Sequence, residues 1–251
     1  MLLRRGVMSS GRGLFDANTA NLDGSTMWFD AGNPAALQIT GNQTIAIDYK
    51  FDVLPASSEA IASRYDNTAT GRSWQLVYTS GTNQIRFDAF DDGTSTVGAQ
   101  VFASPPVGGQ WHSLVVVYNG VDLRLYIDNV LTDTTAYTGG FFNSGSDVFI
   151  GARARTDIAP DLQMDGSVAL PRIWNSDLSA SQVSQLYDGD KTICTNSLPA
   201  SLKTDLVYAP RLANWGGNAG DELVDQSTSG ITTSNIGSIP YNGTGLTIRC
   251  T

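Results

Sequence analysis

The chain predicts an all-β fold: a two-sheet antiparallel sandwich with one short helix late in the sequence. Three observations carry this. Hydrophobic residues make up 41% and charged residues only 16%, with 26 glycines among its 251 residues, and Ser, Thr, Asn and Asp fill the gaps between apolar stretches. That composition suits many short strands joined by turns. Apolar alternation at a period of two recurs about every ten residues. Helical periodicity is well marked in one segment only, so a layered α/β arrangement is disfavoured.

The strands follow in order. Met27–Asp30 is short, and Thr44–Phe51 places Ile45, Ile47, Tyr49 and Phe51 on one face. Ala60–Tyr65, Ser73–Tyr78, Gln84–Phe90 and Thr96–Phe102 come next, until Pro105-Pro106 breaks the ladder for want of an N–H to donate. Trp111–Tyr118 is the most apolar strand and is expected at the centre of its sheet. Leu123–Ile127 and Val130–Thr135 are separated by Asp128-Asn129 alone, a two-residue hairpin whose turn requires positive φ at both positions. Asp147–Ile150 and Val168–Trp174 complete the series. Ser179 then reads as an N-cap with Gln182 three residues on, Leu178 and Val183 in the staple positions, and Gly189 where a left-handed C-cap belongs.

Charge and cysteine content narrow the function classes. The 24 acids against 15 Lys and Arg leave a net charge of −9, which disfavours tracking a nucleic-acid backbone or docking to an anionic membrane. No apolar run approaches the ~20 residues that cross a bilayer, and Met1–Ser10 lacks the apolar core of a secretory leader. Cys194 and Cys250 have no metal-binding spacing; they form a disulfide or stay separate thiols, and the sequence does not choose.

Catalytic constellations are missing from the pattern. Glycoside hydrolysis needs two carboxylates about 5–10 Å apart across a cleft. The only glutamates are Glu59 and Glu222, and no Glu-x-Asp-x-Glu strand exists. Asp88, Asp91 and Asp92 sit near a strand end and read as solvated acids. His112 is the single histidine, so any Ser-His-Asp relay or zinc centre would depend on it alone. The reading is therefore not an enzyme. For binding, Trp74, Tyr78, Tyr65 and Trp28 are the aromatic candidates, although Trp74 and Tyr78 share strand parity with Leu76 and so also suit a core. Arg64, Tyr65, Asp66, Asn67 and Arg72 fall on one loop at a strand end, where sandwiches often carry recognition.

The ordered set Leu22–Asn33, Thr44–Phe51, Ala62–Asn67, Arg72–Leu76, Gly109–His112, Leu123–Asp128, Phe149–Gly151, Asp165–Ser167 and Arg172–Ser179 resembles the laminin-G-like jelly-roll domains of the concanavalin A-like superfamily. The resemblance implies a jelly roll over residues 21–190. Residues 1–20 are then an N-terminal arm, and residues 191–251 a C-terminal extension packing on the domain or on a neighbouring subunit. Leu198–Val207 and Gly220–Gly230 in that extension resemble the opening of a second such module.

Members of the family are mostly non-catalytic and bind glycans, proteins or Ca²⁺, in surface proteins and phage virions. The expectations that follow are a virion structural, decoration or adhesion protein with virion subunits or cell-surface glycans as partners, with a lectin-like module of a cell-surface or secreted protein as the alternative and a glycoside hydrolase behind both. For Ca²⁺ the resemblance points to Asp23, Asp30 and Asp165. It also expects an acidic pair where this chain has Ala169 and Leu170.

Overall fold

A computed structural model describes residues 19–68, 70–104, 107–155, 160–189, 198–210, 222–223, 225–231 and 233–236. Cys194 and Cys250 lie outside the described residues, as does most of the N-terminal arm.

Two antiparallel sheets form the sandwich. The seven-stranded sheet runs in the order β1 (Thr19–Asp23), β12 (Asp165–Trp174), β3 (Gln43–Lys50), β8 (His112–Tyr118), β9 (Asp122–Ile127) and β10 (Val130–Ala136), and β13 (Leu206–Tyr208) also pairs with β12. The eight-stranded sheet runs β14 (Glu222–Leu223), β15 (Thr233–Ile236), β2 (Trp28–Asp30), β11 (Val148–Ile150), β4 (Glu59–Tyr65), β5 (Arg72–Thr79), β6 (Gln84–Ala89) and β7 (Ala99–Ala103). Ile45, Ile47 and Tyr49 of the first sheet face Trp74, Leu76 and Phe87 of the second across the main core.

β8 is central, between β3 and β9. Its unbroken apolar run has a physical cause. Leu114, Val116 and Tyr118 enter the main core, while Val115 and Val117 point the other way, into a second core. That second core is closed by helix α1 (Ala180–Gly189) and the one-turn helix α2 (Ala200–Lys203) through Val183, Leu186 and Leu202. A strand buried on both faces needs no alternation.

Local chemistry fixes the helix and the hairpin. Ser179 N–H donates to Gln182 Oε1 at 2.9 Å, and Gln182 N–H donates back to Ser179 Oγ at 3.3 Å. That exchange satisfies two donors left free at a helix start. Leu178 and Val183 are both buried in the second core. At the β9–β10 turn, Asp128 and Asn129 have φ of +50° and +67°, as a type I′ turn demands. The Asp128 carboxylate then serves β8, accepting the Ser113 N–H at 2.9 Å and pairing with His112 Nδ1 at 2.8 Å. His112 Nε2 accepts the Val107 N–H. The lone histidine is thereby tied into the structure at both ring nitrogens.

The segment after α1 builds into the sandwich. β13 lies against the end of β12, and β15 pairs with β2 at the edge of the larger sheet. Tyr208 and Thr233, both buried, share a 3.1 Å hydrogen bond between these additions. Trp174 Nε1 donates to the Leu202 carbonyl at 2.8 Å and fastens α2 over the second core.

Candidate functional site

The loop after β4 turns back on itself. Asp66 N–H donates to the Gly71 carbonyl, and Asp66 Oδ1 accepts the Thr68 N–H at 3.0 Å. Ser146 Oγ donates to that same Gly71 carbonyl, which joins the loop to the segment entering β11. A third part of the site is built around Arg153 and Asp161. The two pair through backbone hydrogen bonds at 2.9 and 3.0 Å and through a two-pronged ion pair at 2.8 and 2.7 Å.

These three segments enclose a cleft of about 370 Å³. One wall is Asp66, Thr68, Thr70 and Gly71; the facing wall is Gly145, Ser146 and Asp147. Phe149, Ala154, Arg155 and Pro160 supply the rest of the lining. Phe149 is backed by the partly exposed Trp28, with ring centroids 6.4 Å apart and planes 25° from parallel. Phe149 is 7% exposed and Trp28 lies outside the lining, so the cleft has a small apolar patch with a few converging polar groups, a make-up common in small-ligand sites. A second depression, beside Asp91, Gly98 and Tyr137, is broad-mouthed and open to solvent.

The electrostatics of the cleft are set by burial. Asp147 is held above its ordinary value by desolvation. Desolvation also raises Asp30, opposed by the Gly32 N–H and reinforced by the charge of Asp147. Arg155 NH1 is paired with Asp161 at 3.1 Å.

The residues singled out in the sequence divide. Asp66 lines the cleft. Tyr65, Asn67 and Arg72 form a knot behind it. Arg72 Nε donates to the Tyr65 hydroxyl at 2.9 Å, Arg72 NH2 donates to the Asn67 carbonyl at 3.1 Å, and the guanidiniums of Arg72 and Arg153 lie 5.4 and 4.8 Å from the Tyr65 ring centroid. Trp74 and Arg64 must be corrected as ligand contacts. Trp74 is 1% exposed and Arg64 0%, because both point from their strands into the core, directly opposite one another in the β4–β5 register. Ser146, Asp147, Phe149 and Arg155 were not anticipated. The one local hint was the Ser144-Gly-Ser-Asp147 run immediately before the apolar β11.

The calcium set does not fit an ion. Asp23 and Asp165 are opposite one another in the β1–β12 register, whereas Asp30 belongs to the other sheet. Asp23 is occupied with its own turn, accepting the N–H groups of Ser25, Thr26 and Met27 and the Thr26 hydroxyl. Burial opposes its ionisation, but the Thr26 and Ser25 hydrogen bonds outweigh this and hold its pKa at about 2. Ala169 and Leu170, where acids were expected, are buried apolar residues, and Leu170 sits at a β-bulge with φ +49°. Among the described residues no three of His, Cys, Asp and Glu are gathered to hold a metal.

Asp165 has another partner. Its N–H donates to Glu59 Oε2 at 2.9 Å, and Glu59 is only 7% exposed. Burial pushes the Glu59 carboxyl up to about 7 from an ordinary 4.5; the Asp165 N–H opposes this and the Asp165 charge adds to it. The folded state therefore holds this proton more tightly than the unfolded chain. The stability linked to Glu59 is complete below pH 4.5 and is lost as pH rises through about 7. The span corresponds to about 3 kcal/mol. Glu59→Gln keeps an acceptor for the Asp165 N–H and carries no charge. It is expected to raise Tm at pH 8 and to flatten the fall of Tm between pH 5 and 7; an unchanged Tm–pH profile would show that Glu59 titrates normally.

Comparison with known proteins agrees with this architecture. A laminin G-type family model of the concanavalin A-like lectin/glucanases superfamily matches residues 23–184. No curated protein matches the chain in sequence. Among solved structures, a candidate carbohydrate binding protein from Bacteroides ovatus superposes with a TM-score of 0.67 at 13% identity, covering 94% of this chain. The match spans 62% of the Bacteroides protein's length. The CBM40 module of the Ruminococcus gnavus IT-sialidase, bound to α2,3 sialyllactose, gives 0.56 at 14% identity over 68% of this chain and 96% of its own. A SAP-like pentraxin from Limulus polyphemus gives 0.51 at 15% identity over 69% of this chain and 83% of its own. The family match covers well over half of the chain and falls on the strands that form both sheets: the protein belongs to the concanavalin A-like lectin/glucanases superfamily.

Proposed function

We propose that this protein is a non-catalytic glycan-binding module whose binding site is the cleft between the 66–71 loop, the 145–147 segment and Arg155. The observation that carries the reading is the cleft's make-up: Phe149 backed by Trp28, flanked by Asp66, Thr68, Ser146 and Asp147. Sugars present an apolar C–H face and a rim of hydroxyls. An aromatic ring suits the first and carboxylates and hydroxyls suit the second. Two fold relatives are described by their carbohydrate binding or a bound sialylated sugar, which supports the same reading.

Gly145 gives a clean test. A Cβ there meets no heavy atom within 4 Å, and its backbone is outside the left-handed region, so a side chain enters open space without strain. Gly145→Phe is expected to leave Tm within about 1 °C, as a surface change should, and to abolish binding on a glycan microarray. Binding that survives in a folded Gly145→Phe variant would place the site elsewhere.

One observation favours a hydrolytic reading. Burial raises the pKa of both Asp30 and Asp147, and the charge of Asp147 adds to the rise at Asp30. Asp30 is not part of the cleft lining, however, and a hydrolase would need both acids to reach one glycosidic bond. Reducing-sugar release from array-positive glycans that disappears in Asp147→Asn would establish that reading instead. The same cleft displayed on a virion would serve adhesion to a host surface. In that setting the chain is recovered from purified particles by mass spectrometry, and its absence from them rules the setting out.

A further inference from the structure

We propose that the cleft selects uncharged glycans and rejects carboxylate- or sulfate-bearing ones, with Asp147 as the specificity-determining residue. The inference rests on the glycan-binding reading of the cleft and adds to it the class of sugar.

Two carboxylates line the cleft, and they differ in what they have left to offer. Asp66 is 4% exposed and spends Oδ1 on the Thr68 N–H of its own loop. Asp147 is partly exposed on the opposite wall, and among the described residues no hydrogen-bond donor is shown reaching its carboxylate. An ionised carboxylate lacking protein donors is a strong acceptor for a sugar hydroxyl. Toward a second anion it is repulsive, and the repulsion is enlarged where water is partly excluded. The charge of Asp147 also reaches Asp30 on the neighbouring strand β2, where it adds to the burial that raises that carboxyl.

An acidic sugar would need a cation to offset this. The guanidinium in the lining is Arg155, and it already faces a carboxylate, Asp161, at 3.1 Å. Asp161 cannot easily be displaced by a ligand, because Arg153 grips it through Nε and NH2 at 2.8 and 2.7 Å and the two residues are also joined through their backbones. One carboxylate thus faces two guanidiniums, so the Arg153–Asp161–Arg155 unit keeps one positive charge, against the two carboxylates of Asp66 and Asp147 in the lining.

The test is a glycan microarray of paired probes, each neutral oligosaccharide printed beside its sialylated, sulfated or uronate counterpart, read with the full chain, Asp147→Asn and Gly145→Phe at low and high salt. The expected result is binding to neutral members, with acidic counterparts about tenfold or more weaker. That gap should narrow in Asp147→Asn and, through screening, in high salt. A residue with a purely structural role would weaken both members of a pair alike and leave their ratio unchanged, which counts against Asp147. Acidic probes bound as well as or better than their neutral partners overturn the selectivity while leaving the glycan-binding reading intact. No binding to any probe of either charge overturns both.

Discussion

Replacing Trp74 by alanine is expected to lower the stability of the domain by about 3–5 kcal/mol while leaving no cleft contact missing. Trp74 is 1% exposed and stacks on Phe87 with centroids 6.1 Å apart and planes 19° from parallel. It stands opposite Arg64 on β4 and Ala89 on β6, so its ring is enclosed within the larger sheet's inner face. Truncation leaves a cavity that the surrounding strands cannot close, because their positions are set by ladders on both sides. Urea unfolding reads the effect as a lowered midpoint at constant slope. Trp74→Phe retains most of the buried ring and should cost clearly less. The opposite outcome, an unchanged midpoint with lost glycan binding, would return Trp74 to the surface role that its aromatic character first suggested.

The contrast between Trp74 and Phe149 shows what the sequence made legible. Strand parity grouped Trp74 with Leu76 and Tyr78, and that grouping was a packing signal: all three enter the main core. Phe149 lies in a three-residue strand, too short for parity to reveal that Val148 and Ile150 face inward and Phe149 outward. The capped helix and the Asp128-Asn129 hairpin were readable because their determinants are local, within three residues of each other. β1 and β15 were not, because Thr19–Asp23 and Thr233–Ile236 have little strand propensity of their own. They become strands by pairing with β12 and β2, and β1 adds a side-chain bond from Ser167 Oγ to Asn21 Oδ1. The cleft was half legible for the same reason. The 64–72 loop declared itself by composition, but its facing wall comes from residues some 80 positions later, and only the folded sheet brings β4 and β11 side by side.

Arg64→Met is expected to be the most damaging single change near the cleft, costing about 2–4 kcal/mol although it nearly preserves side-chain volume. Arg64 is fully buried, and no carboxylate pairs with it among the described residues. NH2 alone donates to Asn33 Oδ1 at 3.1 Å, Asn143 Oδ1 at 2.8 Å and the Ser144 carbonyl at 2.6 Å, while Nε and NH1 have no partner. Burial draws the guanidinium pKa down to about 10, still well above neutrality, so the cation persists inside. A buried charge with two nitrogens lacking acceptors is costly. Its compensation is that one nitrogen ties the turn after β2 to the segment that enters β11. Methionine removes the charge and the orphan donors, a gain, but strands three acceptors, and the Ser144 carbonyl is buried at the head of the cleft wall that continues through Gly145, Ser146 and Asp147. Hydrogen exchange of amides 143–147 should therefore accelerate in Arg64→Met more than exchange in β8, with glycan affinity falling alongside. If the midpoint of unfolding rises and exchange at 143–147 stays slow, the desolvation cost outweighs the tie, and Arg64 is a burden on the core rather than the anchor of the wall.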